Sequence, residues 1–258
     1  MIIKNAPDRL GRYLVLTFAI SWLAWWGEAL VVKISPLTAQ DPPALLAFFL
    51  GGFGPTIAAC LCLPGGFSLK GLGQFLTSHR PKTLPVLAAF AGLLALFFLA
   101  FSTGLVSGIP RDGRALVVFG LVFIQASLLF GGNEELGWRG TLQPLLANRL
   151  PAWLVPLVIG LIWVGWHIPL WFIEGNSHQT MSFTDFALLG LALSYWLSAL
   201  MTLTRSIPGC MVLHGLTNTF LGLLVMNQGP AYYLSLAVLT GLSLAVSAQV
   251  QPRSRQRD

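Results

Sequence analysis

Residues 85–108 read PVLAAFAGLLALFFLAFSTGLVSG, a run without one ionisable side chain. A helix needs about 20 consecutive apolar residues to cross the hydrocarbon core, and there it satisfies its own backbone groups. Comparable runs recur at 14–32, 44–63, 115–133, 152–172, 186–204, 207–226 and 232–250. The eight together predict an all-α polytopic membrane protein with about eight transmembrane helices. Of its 258 residues, 55% are hydrophobic and only 9% charged, and the mean hydropathy is +0.74. Eight spans of about 20 residues use roughly 160, which leaves tails and short loops but no separate soluble domain. The expected organisation is an N-tail at 1–13, one transmembrane unit at 14–250 and a basic tail at 251–258.

The net charge of +6, from 15 Lys and Arg against 9 Asp and Glu, would suggest a nucleic-acid partner in a soluble chain. Here the basic residues fall in the gaps between apolar runs, so the excess reads as topology and as contact with anionic lipids, with no nucleic acid. Summed over alternate segments, 12 basic residues lie on the side of the termini and 3 on the other. The positive-inside rule then predicts an even number of spans in the cell membrane, with both termini cytoplasmic. The run at 14–32 is too long for a signal peptide's apolar region and lacks a small-x-small cleavage site, so it reads as a retained first span. Cys60, Cys62 and Cys210 all lie inside apolar runs and fit neither a disulfide framework nor a metal motif, which leaves packing.

An ionisable group inside a span costs a few kcal/mol or more, so such residues carry information. Glu134, Glu135, Arg139, His167 and His214 qualify, with Asn218 beside them. Glu28 sits near the outer end of the first run and reads as interfacial; His79 and His178 fall in polar loops. Glu135 and Arg139 are spaced i,i+4, which places them on one helix face as a charge-assisted pair. Glu134 then points about 100° away, onto the face of Trp138, without a cationic partner. Segment 134–151, EELGWRGTLQPLLANRLP, is neither a polar loop nor a clean span: it prolongs the fourth helix or forms a second, partly embedded one. A hairpin turning at Pro151 brings Glu134, 17 residues before it, to the depth of His167, 16 residues after it. His214 and Asn218 are again i,i+4 and share a face.

The chain has no GxSxG elbow, no glycine-rich phosphate loop and no HExxH helix. A Glu and a His together can activate water, while a second His and an Asn can donate to the oxyanion of a tetrahedral intermediate, which suits amide hydrolysis. The set Glu134, His167 and His214 is alternatively a three-ligand zinc site with water in the fourth position. A third possibility, a proton-coupled transporter, also uses mid-membrane ionisable residues, but the chain shows no internal repeat with paired broken helices.

Three motifs in order carry a resemblance. Glu134-Glu-Leu-Gly-Trp-Arg139 matches EExxxR, Trp163-Val-Gly-Trp-His167 matches an aromatic-xxx-His motif, and His214-Gly-Leu-Thr-Asn218 matches HxxxN. Phe53-Gly-Pro55 is a further shared feature. On these residues the sequence resembles the CPBP family of intramembrane proteases, the CAAX-processing and bacteriocin-processing (Abi) enzymes, from about residue 14 to 226. The resemblance implies an active site within the helix bundle, with Glu134 and His167 activating water, His214 and Asn218 at the oxyanion, and Glu135 and Arg139 in support. It implies a peptide or protein substrate at the membrane, prenylated at a CAAX-type terminus or carrying a leader peptide. Family members are described both as metal-dependent and as glutamate-type, so either no cofactor or a divalent metal such as zinc is expected. Some are tied to bacteriocin immunity, which leaves a non-enzymatic immunity or scaffold protein as the alternative. The second motif commonly begins with Phe, and Trp163 in its place is expected to alter cavity shape more than chemistry. The pocket is expected to open toward the cytoplasm.

Overall fold

A computed structural model describes residues 6–63, 68–77 and 82–249. The basic tail at 251–258 and His79 lie outside the described residues. The fold is all-α and spans the membrane: α1 (Ala6–Ile34), α2 (Pro42–Gly52), α3 (Gly54–Leu61), α4 (Leu69–Thr77) and α5 (Thr83–Phe101) come first. There follow a short strand β1 (Ser102–Leu105), α6 (Arg114–Leu128), α7 (Glu135–Gly137) and α8 (Gln143–Ala147). The last elements are α9 (Leu154–Trp166), α10 (Phe183–Thr204), α11 (Ile207–Leu223), β2 (Leu224–Met226) and α12 (Pro230–Gln249). Among the described residues, six helical segments are long and apolar enough to cross a membrane, or seven if the bent pair α2–α3 is one span. The expected eight is therefore approximate; α11, which matches the run at 207–226, has only 17 helical residues. Outward-facing leucines such as Leu23, Leu84, Leu116 and Leu121 are exposed, as an apolar solvent allows.

Three departures from the sequence reading have local causes. The run at 85–108 stops being helical at Phe101, because Ser102–Leu105 pairs antiparallel with Leu224–Met226, which also cuts short the run at 207–226. The run at 44–63 is bent by 50°. Pro55 has no N–H for the carbonyl of Gly51, which instead accepts from the Ser21 hydroxyl at 2.7 Å. Segment 134–151 prolongs the fourth helix, as one of the two expectations had it, in one helical segment from Arg114 to Ala147, but irregularly. Gly131 breaks the chain at φ +109, a conformation open to glycine. A 3-10 turn (Gly132–Glu134), α7, a π-helical stretch (Trp138–Leu142) and α8 then continue inward. Gly137 makes this possible, since a β-carbon there would meet the Tyr13 hydroxyl at 2.5 Å and Pro55 Cβ at 2.6 Å.

The connections gather on two opposite faces. On the terminal face Arg9 of α1 donates to the Cys62 carbonyl at the end of α3. On the far face Gln40 donates to the Gly175 carbonyl at 3.4 Å, the two strands pair, and the Tyr233 hydroxyl donates to Asp185 at 2.6 Å. Ser182 and Ser206 cap the N-termini of α10 and α11, accepting from Asp185 N and Gly209 N.

Candidate active site

The EExxxR segment is buried from Gly131 to Gly140. It is held there by polar groups that the sequence reading did not single out. Asn133 donates to the Gly52 carbonyl at 3.1 Å, just before the bend, and its own carbonyl accepts from the Thr56 hydroxyl at 2.6 Å. Its signal in the sequence was its place at the head of a polar Asn-Glu-Glu run behind two glycines. Glu28 likewise departs from the interfacial expectation: its side chain is buried and Oε2 has no partner.

Glu135 is the hub of one network. Arg139 Nη1 donates to its Oε1 at 3.1 Å, and His214 Nδ1 lies 2.7 Å from the same oxygen. A carboxylate only accepts, so Nδ1 carries the proton and the ring orientation is fixed. Arg139 Nη2 also donates to the Ser194 carbonyl at 3.4 Å, tying the motif to α10.

Glu134 belongs to a different network. Its Oε2 accepts from the indole of Trp138 at 3.0 Å and from the indole of Trp163 at 2.6 Å. Trp163 thus gives Glu134 a hydrogen-bond donor as well as shaping the site: a Phe there has no N–H to donate. Glu134 and His167 do not hydrogen-bond each other. Both border Trp163, whose ring centroid lies 4.5 Å from that of His167 and 5.7 Å from that of His214. His167 Nδ1 lies 2.8 Å from the Trp163 carbonyl and therefore donates, leaving Nε2 as a bare acceptor. Trp25 of α1 packs within 6.2 Å of His167.

Asn218 Nδ2 donates to the Phe130 carbonyl at 2.7 Å. A β-carbon on Gly131 would meet that same Nδ2 and would come 2.7 Å from His214 Nε2. The two nitrogens therefore converge beside Gly131, at a spot where the missing side chain leaves room. His214 Nε2 is buried without a partner.

Residues 114–220, the stretch that holds all three motifs, match the family described as "Type II CAAX prenyl endopeptidase Rce1-like". This likeness agrees with the resemblance of the three motifs to the CPBP family. The chain is also 27% identical over 198 residues to the CAAX prenyl protease 2 of Methanococcus maripaludis, covering 73% of this chain and 71% of that one. These likenesses support an endopeptidase acting on a membrane-associated peptide.

Among the described residues no three His, Cys, Asp or Glu side chains gather closely enough to hold a metal. Glu134 Oε2 is taken by two indoles and His214 Nδ1 by Glu135, so the atoms left to meet a metal would be Glu134 Oε1 and Nε2 of His167 and His214. A separate apolar cavity of about 140 Å³ lies between α5, α10, α11 and α12, lined by Phe90, Leu94, Trp196 and Leu213 among others. It reaches the site only through Leu213, the neighbour of His214.

Proposed function

We propose that this protein is an intramembrane endopeptidase of the cell membrane, with Glu134 as general base and no metal required. The observation that carries the reading is the set of unused acceptors and donors inside an otherwise sealed bundle. Glu134 has one oxygen fixed by two indoles and the other free; His167 and His214 each have one ring nitrogen fixed and Nε2 free. A buried polar atom without a partner costs about 1–3 kcal/mol, and His214 Nε2 is one such atom; a bound water and a substrate carbonyl would give these groups partners.

In the proposed reaction a water bound between Glu134 and His167 Nε2 gives a proton to Glu134 as its oxygen attacks the scissile carbonyl. The developing oxyanion sits beside Gly131 against Asn218 Nδ2 and, when that ring carries both protons, against His214 Nε2. Collapse breaks the C–N bond, and Glu134 returns the proton to the leaving amine. Glu135 and Arg139 hold His214 and anchor the motif to α10. The substrate is a membrane-associated peptide, lipidated at a CAAX-type terminus or carrying a leader sequence. Both termini lie in the cytoplasm. The test is cleavage of a quenched fluorescent peptide pool by detergent-solubilised protein: the wild type should release signal and Glu134→Gln should not. Equal signal from the two removes the glutamate base and favours the non-enzymatic immunity or scaffold reading.

A further inference from the structure

The cleft between α5 and α12 is plugged at one end. There Tyr232 of α12 packs on Phe97 and Phe101 of α5, with ring centroids 5.1 and 5.5 Å apart. Two turns further along α12, at Leu239, begins the apolar cavity of about 140 Å³. Its floor belongs to the interior of the bundle: Leu94, Trp196 and Leu213 are 3%, 5% and 1% exposed. Its rim does not, since Leu93 of α5 and Leu242 of α12 are 51% and 58% exposed. The outer surface of a membrane-spanning bundle faces lipid, so the cavity opens sideways into hydrocarbon.

Size and polarity limit what can enter. Among the described residues Ser243 supplies the one hydroxyl in a lining that is otherwise hydrocarbon and indole, which gives water few partners. Apolar cavities of about 150 Å³ stay dry and admit apolar guests such as benzene. This cavity therefore takes several carbons of a chain whose remainder stays in the bilayer.

Charge at the open end selects the owner of that chain. Away from the plug, the cleft runs toward the start of α5 and the end of α12. Lys82 precedes α5, eight residues from Phe90, and Arg205 precedes α11, eight residues from Leu213; both are exposed. At 1.5 Å per residue each cation stands about 12 Å from the cavity along its helix. The two helix starts are close to each other, because a β-carbon on Gly209 would lie 4.0 Å from the Thr83 side chain. No Asp or Glu occurs at 69–111 or 186–257, the stretches that build this corner. Two cations at the membrane surface, with an apolar cavity at the depth of a lipid tail, match an anionic headgroup and its chain.

We propose that the cleft between α5 and α12 binds one anionic glycerophospholipid of the surrounding membrane. Its phosphate lies by Lys82 and Arg205, and one acyl chain fills the cavity. Leu213 carries the consequence inward, since it forms the floor of the cavity and adjoins His214 in the chain. A filled cavity backs the helix that presents His214 and Asn218. The site stands on the fold alone and does not depend on the endopeptidase reading.

The test is lipid binding by detergent-purified, delipidated protein, titrated with dioleoyl phosphatidylglycerol or dioleoyl phosphatidylcholine and followed by native mass spectrometry. One phosphatidylglycerol per protein is expected, held on the order of 10-fold more tightly than phosphatidylcholine, as two surface cations would give. Lys82→Gln combined with Arg205→Gln should erase that preference while both lipids still bind. Leu239→Trp fills the cavity and should weaken both lipids. Leu242→Trp, at the exposed rim, should do the same without touching the interior, which keeps the test intact if Leu239→Trp does not fold. A phosphatidylglycerol with a diazirine midway along one acyl chain should label residues 90–94 and 239–246 on irradiation. Equal affinity for the two lipids overturns the proposal, as does unchanged binding in the folded tryptophan variants or labelling spread evenly over the lipid-facing helices. Labelling of the same residues by a farnesylated photoprobe that phosphatidylglycerol cannot displace assigns the cavity to an isoprenoid and overturns it equally.

Discussion

Trp163 donates its indole N–H to Glu134 at 2.6 Å while its ring edge rests on His167. One side chain thus sets the position of both groups proposed to handle the water, although they come from segments separated by a turn of the chain. Trp163→Phe keeps the packing and deletes the donor. A drop in kcat on the order of ten-fold is expected, close to what one lost hydrogen bond to a charged group is worth. Thermal melting should move little. A variant with unchanged kcat would reduce Trp163 to a spacer.

Glu134→Gln should abolish turnover, because the amide cannot take a proton from water, while folding and peptide binding persist. Metal analysis of the same preparations should find no stoichiometric zinc, and a chelator should leave wild-type turnover intact. Zinc at one equivalent that is lost on replacing either His167 or His214 would install a metal-bound water in place of the glutamate base.

Arg139→Ala leaves Glu135 buried with only His214 beside it and frees the Ser194 carbonyl. Breaking a buried pair from one side costs about 3–5 kcal/mol. The expected outcome is a large loss of folded yield and a lower melting temperature, read by size-exclusion chromatography and thermal unfolding. Wild-type melting would show that the pair carries no structural role.

Gly131→Ala places a methyl group against Asn218 Nδ2 and His214 Nε2, at a φ of +109 that L residues avoid. Strain of about 1–3 kcal/mol is expected from the backbone alone. Activity should fall by more than stability does, because the methyl group fills the spot assigned to the oxyanion. Full activity in a stable Gly131→Ala protein would move the oxyanion elsewhere.

Asn218→Ala removes one oxyanion donor and also the partner of the Phe130 carbonyl. A loss of about 10²–10³ in kcat is expected. KM should change less than kcat. An effect on KM alone would place Asn218 in ground-state binding.

Much of the architecture was legible in the sequence because hydrocarbon imposes a local rule. An uninterrupted apolar run must be helical, and six such segments reappear close to where the runs predict them. The i,i+4 spacing likewise placed Glu135 beside Arg139 and Glu134 on the face of Trp138, since helical periodicity is a property of neighbouring residues. Four things lay beyond that reach. The bend at Phe53, the break at Gly131 and the pairing of Ser102–Leu105 with Leu224–Met226 depend on partners distant in the chain for their backbone groups. The fourth is the site itself: the sequence named Glu134, His167, His214 and Asn218, but not that Trp163 stands between the first two or that Glu135 holds the third. Apolar patterning fixes which segments enter the membrane. Which side chain meets which across helices is fixed by packing, where a glycine at 137 or an indole in place of a phenyl ring at 163 decides how closely two segments approach and what they exchange.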